Sequence, residues 1–325
     1  MRLEDIPFEA TRAPEPPAPP LSALWRGQAR DWLRFHLADR IEGLAQVALY
    51  HALRPMPPEL AAALGRGLGP VVGWLDRRRP YVEYMRRAIR LIRPDLDAAG
   101  QAALLAEWWR QTGMTHALYP VLEKLAAPGR LTIHGAERLR LADERGGTFF
   151  LMVHLGSWEL IADVAVAHLR RPVFGVYEPQ PSRFQNRLIF AGRRRRGVRV
   201  FPPSRTLPML MIRLIRAGSN ACFFIDEVRR GQCRFPLWGA PVPERANLVF
   251  ALRLAHRLGA RLQPGYVLRT APGRAEFHLM EPIEPGAPAD PDAFVRQHAR
   301  RLSALFEPVI AAHLEQWYML KDMRR

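Results

Sequence analysis

The sequence predicts an α/β fold, in which a central sheet is covered by helices and preceded by a helical region. After Pro128, short apolar runs alternate with segments of helical spacing, which is typical of a sheet with helices on both faces. Between residue 21 and this proline, the apolar repeats have helical spacing throughout. We therefore divide the chain into a disordered, proline-rich tail at 1–20, a helical region at 21–128 and one integrated α/β core at 129–325.

The α/β core contains seven apolar runs that we predict to be strands. They lie at 131–134, 148–153, 173–177, 198–201, 221–225, 262–268 and 276–280. Helices are expected at about 158–169, 183–195, 205–217, 245–258 and 290–316. The run at 148–153 is apolar after its first residue, so we expect a strand that is buried on both faces.

Two apolar patterns in the helical region each have two interpretations. One is a helical stripe formed by Leu33, Leu37, Ile41, Leu44, Ala48 and Ala52. Packing into a core is the usual role of such a stripe, and binding to a membrane surface is the alternative. The other pattern consists of large side chains that either belong to the core or line an acyl groove: Trp108, Trp109, Met114 and Tyr119.

The composition is that of a globular protein with an unusual positive charge. Of 325 residues, 48% are hydrophobic and 24% are charged, and the net charge is +17. All but two of the 48 basic residues are arginines, which suit phosphate and carboxylate groups. Anionic lipid, nucleic acid and acidic carrier proteins are therefore candidate partners. We expect no nucleic acid, because the arginines are spread along the whole chain and no known binding module is present.

Other features of the sequence bear on its compartment. Two cysteines, Cys222 and Cys233, favour neither a disulfide framework nor a metal cluster and fit a reducing cytosol. The tail, which contains TRAPEPPAPP, has no signal-peptide pattern. Because no apolar run approaches the roughly 18 residues that a spanning helix needs, we expect peripheral attachment to a membrane if the protein binds one.

The stretch that points most directly to chemistry begins where the strand at 148–153 ends. His154 lies at the carboxyl end of that strand, where α/β folds gather their ligands, and Glu159 falls in the first turn of the next helix. We predict that Glu159 bonds to one imidazole nitrogen and leaves the other free to act as a general base. The alternative is a histidine satisfied by a backbone carbonyl, with Glu159 as an ordinary helix-terminal charge. His154 is the only one of the ten histidines with an acidic residue at this spacing.

The residue order of this stretch also resembles a motif of a known family. His-Leu-Gly-Ser-Trp-Glu-Leu at 154–160 resembles the H-x4-[D/E] box of the lysophospholipid acyltransferase superfamily. It looks most like the branch that contains the bacterial lipid A lauroyl and myristoyl acyltransferases. The resemblance extends from about residue 60 to Trp317, which closes a Glu-Gln-Trp element similar to one near the end of these proteins.

Two further segments resemble the family with departures. Tyr177 to Gly197 is similar to the segment that helps to bind the acyl acceptor, but Glu178 stands where an arginine is expected. The resemblance implies that nearby arginines supply this charge: Arg183, Arg187 and Arg193. Asp226 matches the end of a strand that closes with Asp-Gln in the family, and Glu227 replaces the glutamine. Asp226 is therefore expected to orient an arginine or bind the acceptor, or else to be an ordinary turn residue.

The resemblance implies both a fold and an activity. The fold would be the mixed sheet of the glycerolipid acyltransferases. The activity would be acyl transfer from an acyl carrier protein or acyl-CoA to a hydroxyl of a membrane lipid, first of all a lipid A precursor. His154 would be the base and Glu159 its partner, without a cofactor or metal. A lysophospholipid or glycolipid acceptor, or a silent lipid-binding relative, is the alternative. We expect the protein on the anionic, cytoplasmic face of the bacterial inner membrane.

Overall fold

The computed structural model describes residues 1–228, 231–284, 286 and 290–324, without the side chain of Arg145. The helices of the helical region are α1 (Ala29–Leu33), α2 (Asp39–Leu53), α3 (Pro58–Asp76), α4 (Pro80–Ile92), α5 (Ala98–Leu118) and α6 (Leu122–Leu125). Those of the α/β core are α7 (Glu137–Arg145), α8 (Leu160–His168), α9 (Arg183–Arg195), α10 (Leu207–Arg216), α11 (Asn247–Leu258) and α12 (Pro291–Ala312). The strands are β1 (Leu131–His134), β2 (Phe149–Met152), β3 (Val173–Val176), β4 (Arg199–Phe201), β5 (Asn220–Phe224), β6 (Leu262–Ala271) and β7 (Arg274–Leu279).

The seven strands form one mixed sheet, in the order β1-β7-β6-β2-β5-β3-β4. β6 and β7 are antiparallel, and every other neighbouring pair is parallel. The predicted fold class and the seven predicted strands are therefore confirmed. α7 was not predicted, because its sequence ERLRLADER is mostly polar and, among its described side chains, buries only Leu139 and Ala142.

β2 is the central strand, and both of its faces are covered. Phe149 and Leu151 pack into the hydrophobic cluster on one side of the sheet, and Phe150 and Met152 pack into the cluster on the other side. All four side chains are at most 3% exposed. Because strand residues alternate between faces, an uninterrupted apolar run is what a doubly covered strand requires.

In the helical region, α3 and α5 are in backbone contact because both carry glycine at their interface. A Cβ atom on Gly69 would lie 2.1 Å from the carbonyl oxygen of Trp109, and one on Gly113 would lie 2.1 Å from that of Gly65. Substitution at these glycines would therefore force the two helices apart. α5 also buries Trp108, Trp109 and Met114 in the hydrophobic clusters of the core. The core interpretation is therefore confirmed for Trp108 and Met114, whereas Trp109 also lines a cavity between the helices.

Two apolar stripes of this region are exposed. The stripe predicted to pack into a core does not do so, because its six residues from Leu33 to Ala52 are all exposed. α3 adds a second exposed stripe, formed by Leu60, Leu64, Leu68, Val71, Val72, Trp74 and Leu75. We call these two stripes together the apolar outer surface. Helical spacing identifies an apolar face, but it does not tell whether protein or another apolar phase covers that face. No helix in the described part of the chain is long and apolar enough to cross a membrane.

Residues 1–20, which we call the N-terminal segment, were predicted to be disordered, and this prediction is wrong. The segment packs on α9 and β4, and it buries Leu3 and Ile6. The carboxylate of Glu15 accepts two hydrogen bonds from Arg187, at 2.7 and 2.5 Å. Arg199 of β4 donates to the carbonyl of Ile6 at 2.6 Å. A proline-rich composition disfavours helices and sheets, but here the folded core supplies arginines and an apolar surface that hold the extended chain.

Candidate active site

His154 and Asp226 meet because β2 and β5 are parallel neighbours in register. Met152 of β2 is paired with Phe224 of β5, so the residues two positions beyond each strand lie opposite one another. The Nδ1 atom of His154 is 2.8 Å from one carboxylate oxygen of Asp226, and the backbone N–H of His154 donates to the other oxygen at 2.9 Å. The strand register thus places a carboxylate directly on the imidazole.

Asp226 is completely buried and accepts a third hydrogen bond, at 2.9 Å, from the indole N–H of Trp317. The segment that carries this tryptophan is fixed in turn, because the backbone N–H of Tyr318 donates to the carbonyl of His154 at 3.0 Å. Since an ionised carboxylate can only accept, Nδ1 of His154 carries the proton that is shared with Asp226. The Nε2 atom is therefore the one with a free lone pair, and it can accept a proton from a bound group.

The structure contradicts the contact predicted between Glu159 and His154. Glu159 lies at the N-cap of α8, and its carboxylate receives a hydrogen bond from Arg193 at 3.0 Å, with Arg196 at 3.8 Å. Burial alone would raise the pKa of Glu159, but the charges of Arg193 and Arg196 outweigh it and hold the pKa below its ordinary value. Glu159 therefore stays ionised, and the side chain that it orients is an arginine.

Arg193 has N–H donors that remain unpaired in the described part of the chain. Its side chain is only 11% exposed, and its guanidinium lies 4.6 Å from the ring centre of Tyr177. Nη2 bonds to Glu159, whereas Nε and Nη1 have no partner among the described residues. Buried N–H groups without a partner are costly, so this arrangement suits a site that receives an anionic or strongly polar group.

A cavity of about 100 Å³ joins these residues between α8, β3 and β4. Its polar part includes His154, Glu159, Arg193 and Glu227. Burial raises the pKa of Glu227, whose carboxylate accepts a hydrogen bond from Asn247 at 2.6 Å. The rest of the lining is largely apolar: Ile161, Ala162, Val166, Val173, Phe174, Val176, Val198 and Val200.

The other two arginines expected at the site do not line this cavity. Arg183 stacks on the ring of Phe35 at 3.6 Å and donates to the carbonyl of Phe35 at 2.8 Å. Arg187 is bound by Glu15 of the N-terminal segment. Only Arg193 of the three therefore joins His154 and Asp226, and the other two hold other parts of the chain against α9.

Arg269, which the sequence did not mark as a site residue, supports the turn after His154. Gly156 needs a positive φ of 59° there, and a Cβ on it would lie 2.5 Å from the carbonyl oxygen of Val267. Arg269 donates to the carbonyl of Gly156 at 2.6 Å and also bonds to Gln111 and Thr115 of α5. Its burial lowers the pKa of Arg269 to about 10. These partners are far apart in sequence, so no local pattern reveals them.

A histidine held by a buried carboxylate, at strand ends of an α/β sheet and beside a cavity, has the geometry expected of an enzyme site that transfers protons. Residues 30–324 match the family model described as bacterial lipid A biosynthesis acyltransferase. The match covers nearly the whole chain, so the protein belongs to this family and is an O-acyltransferase. The resemblance drawn from the box at 154–160 is thereby confirmed. No curated protein matches the sequence.

Proposed function

We propose that the protein transfers a fatty acyl group directly from a carrier thioester to a hydroxyl of a lipid A precursor, with His154 as the general base. The observation that carries this proposal is the 2.8 Å contact between Nδ1 of His154 and Asp226. It turns the imidazole so that Nε2 is available to a hydroxyl in the adjoining cavity. Asp226, rather than Glu159, then fixes the tautomer and neutralises the imidazolium that forms.

The reaction proceeds through one tetrahedral intermediate. Nε2 of His154 takes the hydroxyl proton as the acceptor oxygen bonds to the thioester carbonyl carbon. The carbon–sulfur bond then breaks, and the departing thiolate receives the proton from the imidazolium. The unpartnered Nε and Nη1 groups of Arg193 are the donors that we assign to the oxyanion of the intermediate. Glu159 acts as a positioning residue, because it holds Arg193 at the cavity.

Ser157 lies inside the box but takes no part in this scheme. Its hydroxyl is buried, and within the described part of the chain it has no hydrogen-bond partner. A serine nucleophile needs an adjacent base to remove its proton. His154 makes no such contact with it, which supports direct attack by the acceptor over an acyl-serine intermediate.

The donor and acceptor can be tested in one assay. We expect acyl transfer from an acyl carrier protein thioester to a lipid A precursor, since the +17 charge steers an acidic carrier more strongly than coenzyme A. The measurement is the second-order rate with each donor at low and high salt, with products identified by lipid mass spectrometry. We expect the carrier protein's advantage to shrink at high salt. Equal, salt-independent rates would contradict the carrier preference, and acylation of a lysophospholipid alone would contradict the acceptor.

We also propose that the apolar outer surface attaches the protein peripherally to the cytoplasmic face of the inner membrane. An exposed apolar stripe on a basic protein suits an anionic lipid surface. Replacing Leu64 and Leu68 of α3 by glutamine is expected to weaken binding to vesicles of anionic phospholipid at least about tenfold, given ~1.5–3 kcal/mol per buried leucine. Flotation with the vesicles measures the bound fraction. Met209→Gln, at an exposed apolar position on α10, is the matched control. Equal vesicle binding by the unchanged protein, the Leu64/Leu68 variant and Met209→Gln would refute the role of the apolar outer surface in membrane attachment.

A further inference from the structure

A second cavity, of about 370 Å³, lies between α3, α4 and α5 and shares no lining residue with the cavity at His154. Its walls are largely apolar and include Val82, Ile89, Leu105 and Trp109. We call it the helical groove. Its volume is within the range of small-molecule sites, and its shape is set by the close packing of α3 on α5. A Cβ on Gly73, for example, would lie 2.7 Å from the Trp109 ring.

Three arginines line the same groove, namely Arg77, Arg86 and Arg90. Arg86 and Arg90 each lie 3.6 Å from Glu83, an exposed carboxylate that Arg87 also shares at 3.3 Å. Asp76, the carboxylate that precedes Glu83 in the sequence, accepts a hydrogen bond from the Tyr81 hydroxyl at 2.5 Å and pairs with Arg79 at 3.6 Å. The groove therefore has an excess of positive charge. Exposed ion pairs of this kind contribute little, so the arginines can exchange Glu83 for a phosphate.

The groove opens next to the apolar outer surface. Pro70, Gly73 and Arg77 line the groove on one side of α3, and Trp74, which follows Gly73 in the chain, belongs to the exposed stripe. The guanidinium of Arg77 lies 4.3 Å from the ring centre of Trp74 and donates to its carbonyl at 2.5 Å. A tryptophan beside an arginine is the kind of pair found where lipid headgroups begin.

We infer that the helical groove binds one anionic phospholipid, with an acyl chain between α3, α4 and α5 and the phosphate held by Arg77, Arg86 and Arg90. Apolar walls alone would accept any alkyl chain, and the arginines select for a negatively charged headgroup. Because the groove is separate from the cavity at His154, the bound lipid is neither the acyl donor nor the acceptor. This site goes beyond the proposed acyl transfer and does not depend on it.

The test uses lipids that are soluble as monomers. Dihexanoyl phosphatidylglycerol is expected to bind saturably in calorimetry, and inorganic phosphate and dihexanoyl phosphatidylcholine to bind at least about tenfold more weakly. Arg86→Ser with Arg90→Ser is expected to weaken phosphatidylglycerol binding roughly tenfold or more. Ala106→Phe, which fills the groove, is expected to do the same. Arg213→Ser, an exposed change on α10, is the control.

The outcomes separate this proposal from the others. Acyl transfer between soluble substrates should be unchanged in Arg86→Ser/Arg90→Ser and in Ala106→Phe, since none of these positions lines the cavity at His154. Inorganic phosphate binding as tightly as the lipid would mean an anion site without an acyl chain and would overturn the proposal. So would unaltered lipid binding in Arg86→Ser/Arg90→Ser, which changes exposed side chains and leaves the helix packing intact.

Discussion

His154→Ala is expected to lower the rate of acyl transfer by about 10²–10⁴-fold, which is the usual contribution of general-base catalysis. Among the described residues that line the cavity, the imidazole alone combines a free lone pair with a carboxylate that stabilises its protonated form. Removing it leaves the acceptor hydroxyl without a route for its proton. A single-turnover assay with a labelled acyl thioester and saturating acceptor measures the chemical step without product release.

Ser157→Ala is the matched control for this experiment, since it changes a buried side chain of the same turn. It should retain most of the activity, because no bond to the acyl group forms at Ser157. The same assay without acceptor should yield no acylated protein. A stable acyl-enzyme at Ser157, or full activity in folded His154→Ala protein, would overturn the direct-attack mechanism.

Asp226→Asn is expected to cost nearly as much activity as His154→Ala. The asparagine amide cannot accept hydrogen bonds from all three groups that donate to Asp226. If the amide oxygen faces the backbone N–H of His154 and the Trp317 indole, the amide NH₂ faces Nδ1. It then donates to Nδ1 and forces the histidine proton onto Nε2, where the base is needed. If the amide is turned the other way, its NH₂ opposes two N–H groups. This second arrangement keeps the Nδ1–H bond but opposes N–H groups twice, so the first arrangement is favoured and the base is disabled.

The comparison that decides the role of Asp226 is with Glu159→Gln. Glu159 does not bond to the imidazole, so Glu159→Gln should lower the rate mainly through Arg193, with a smaller loss than Asp226→Asn. Trp317→Phe removes one donor to Asp226 and keeps the pair with His154, so its effect on the rate should be smaller. If Asp226→Asn is nearly normal while Glu159→Gln matches His154→Ala, then Glu159 moves onto the imidazole during turnover and our assignment is wrong. Circular dichroism and thermal unfolding check that each variant is folded.

Sequence patterns were sufficient to find the seven strands, the helices between most of them and the position of the base. They were also sufficient to place Asp226 at the end of a second strand. They did not show that it meets His154, because this depends on which strands are neighbours. β2 and β5 are separated along the chain by three helices and two strands, and their pairing follows from the packing of the whole sheet. The assignment of Glu159 failed for the same reason, since its partners come from the end of α9.

The helical region shows a different limit. The spacing of Leu33, Leu37, Ile41 and Leu44 correctly predicts one apolar face. Whether this face is covered depends on which helices pack beside it. The packing of α3 on α5, for example, is set by glycines that carry no hydrophobic signal. Burial of the two tryptophans of α5 was easier to predict, because large aromatic side chains at helical spacing usually pack into a core.

The packing of the N-terminal segment has a practical consequence for where the folded unit begins. The family match starts at residue 30, so trimming the chain by similarity would remove the segment that carries Ile6 and Glu15. Arg187 and Arg199 would lose the partners described above, and β4, the terminal strand of the sheet, would lose the chain that packs beside it. An uncovered edge strand is a template for pairing with another molecule. The boundary drawn by homology therefore cuts through a packed interface, and a chain shortened there is expected to associate with itself more readily than the 325-residue chain.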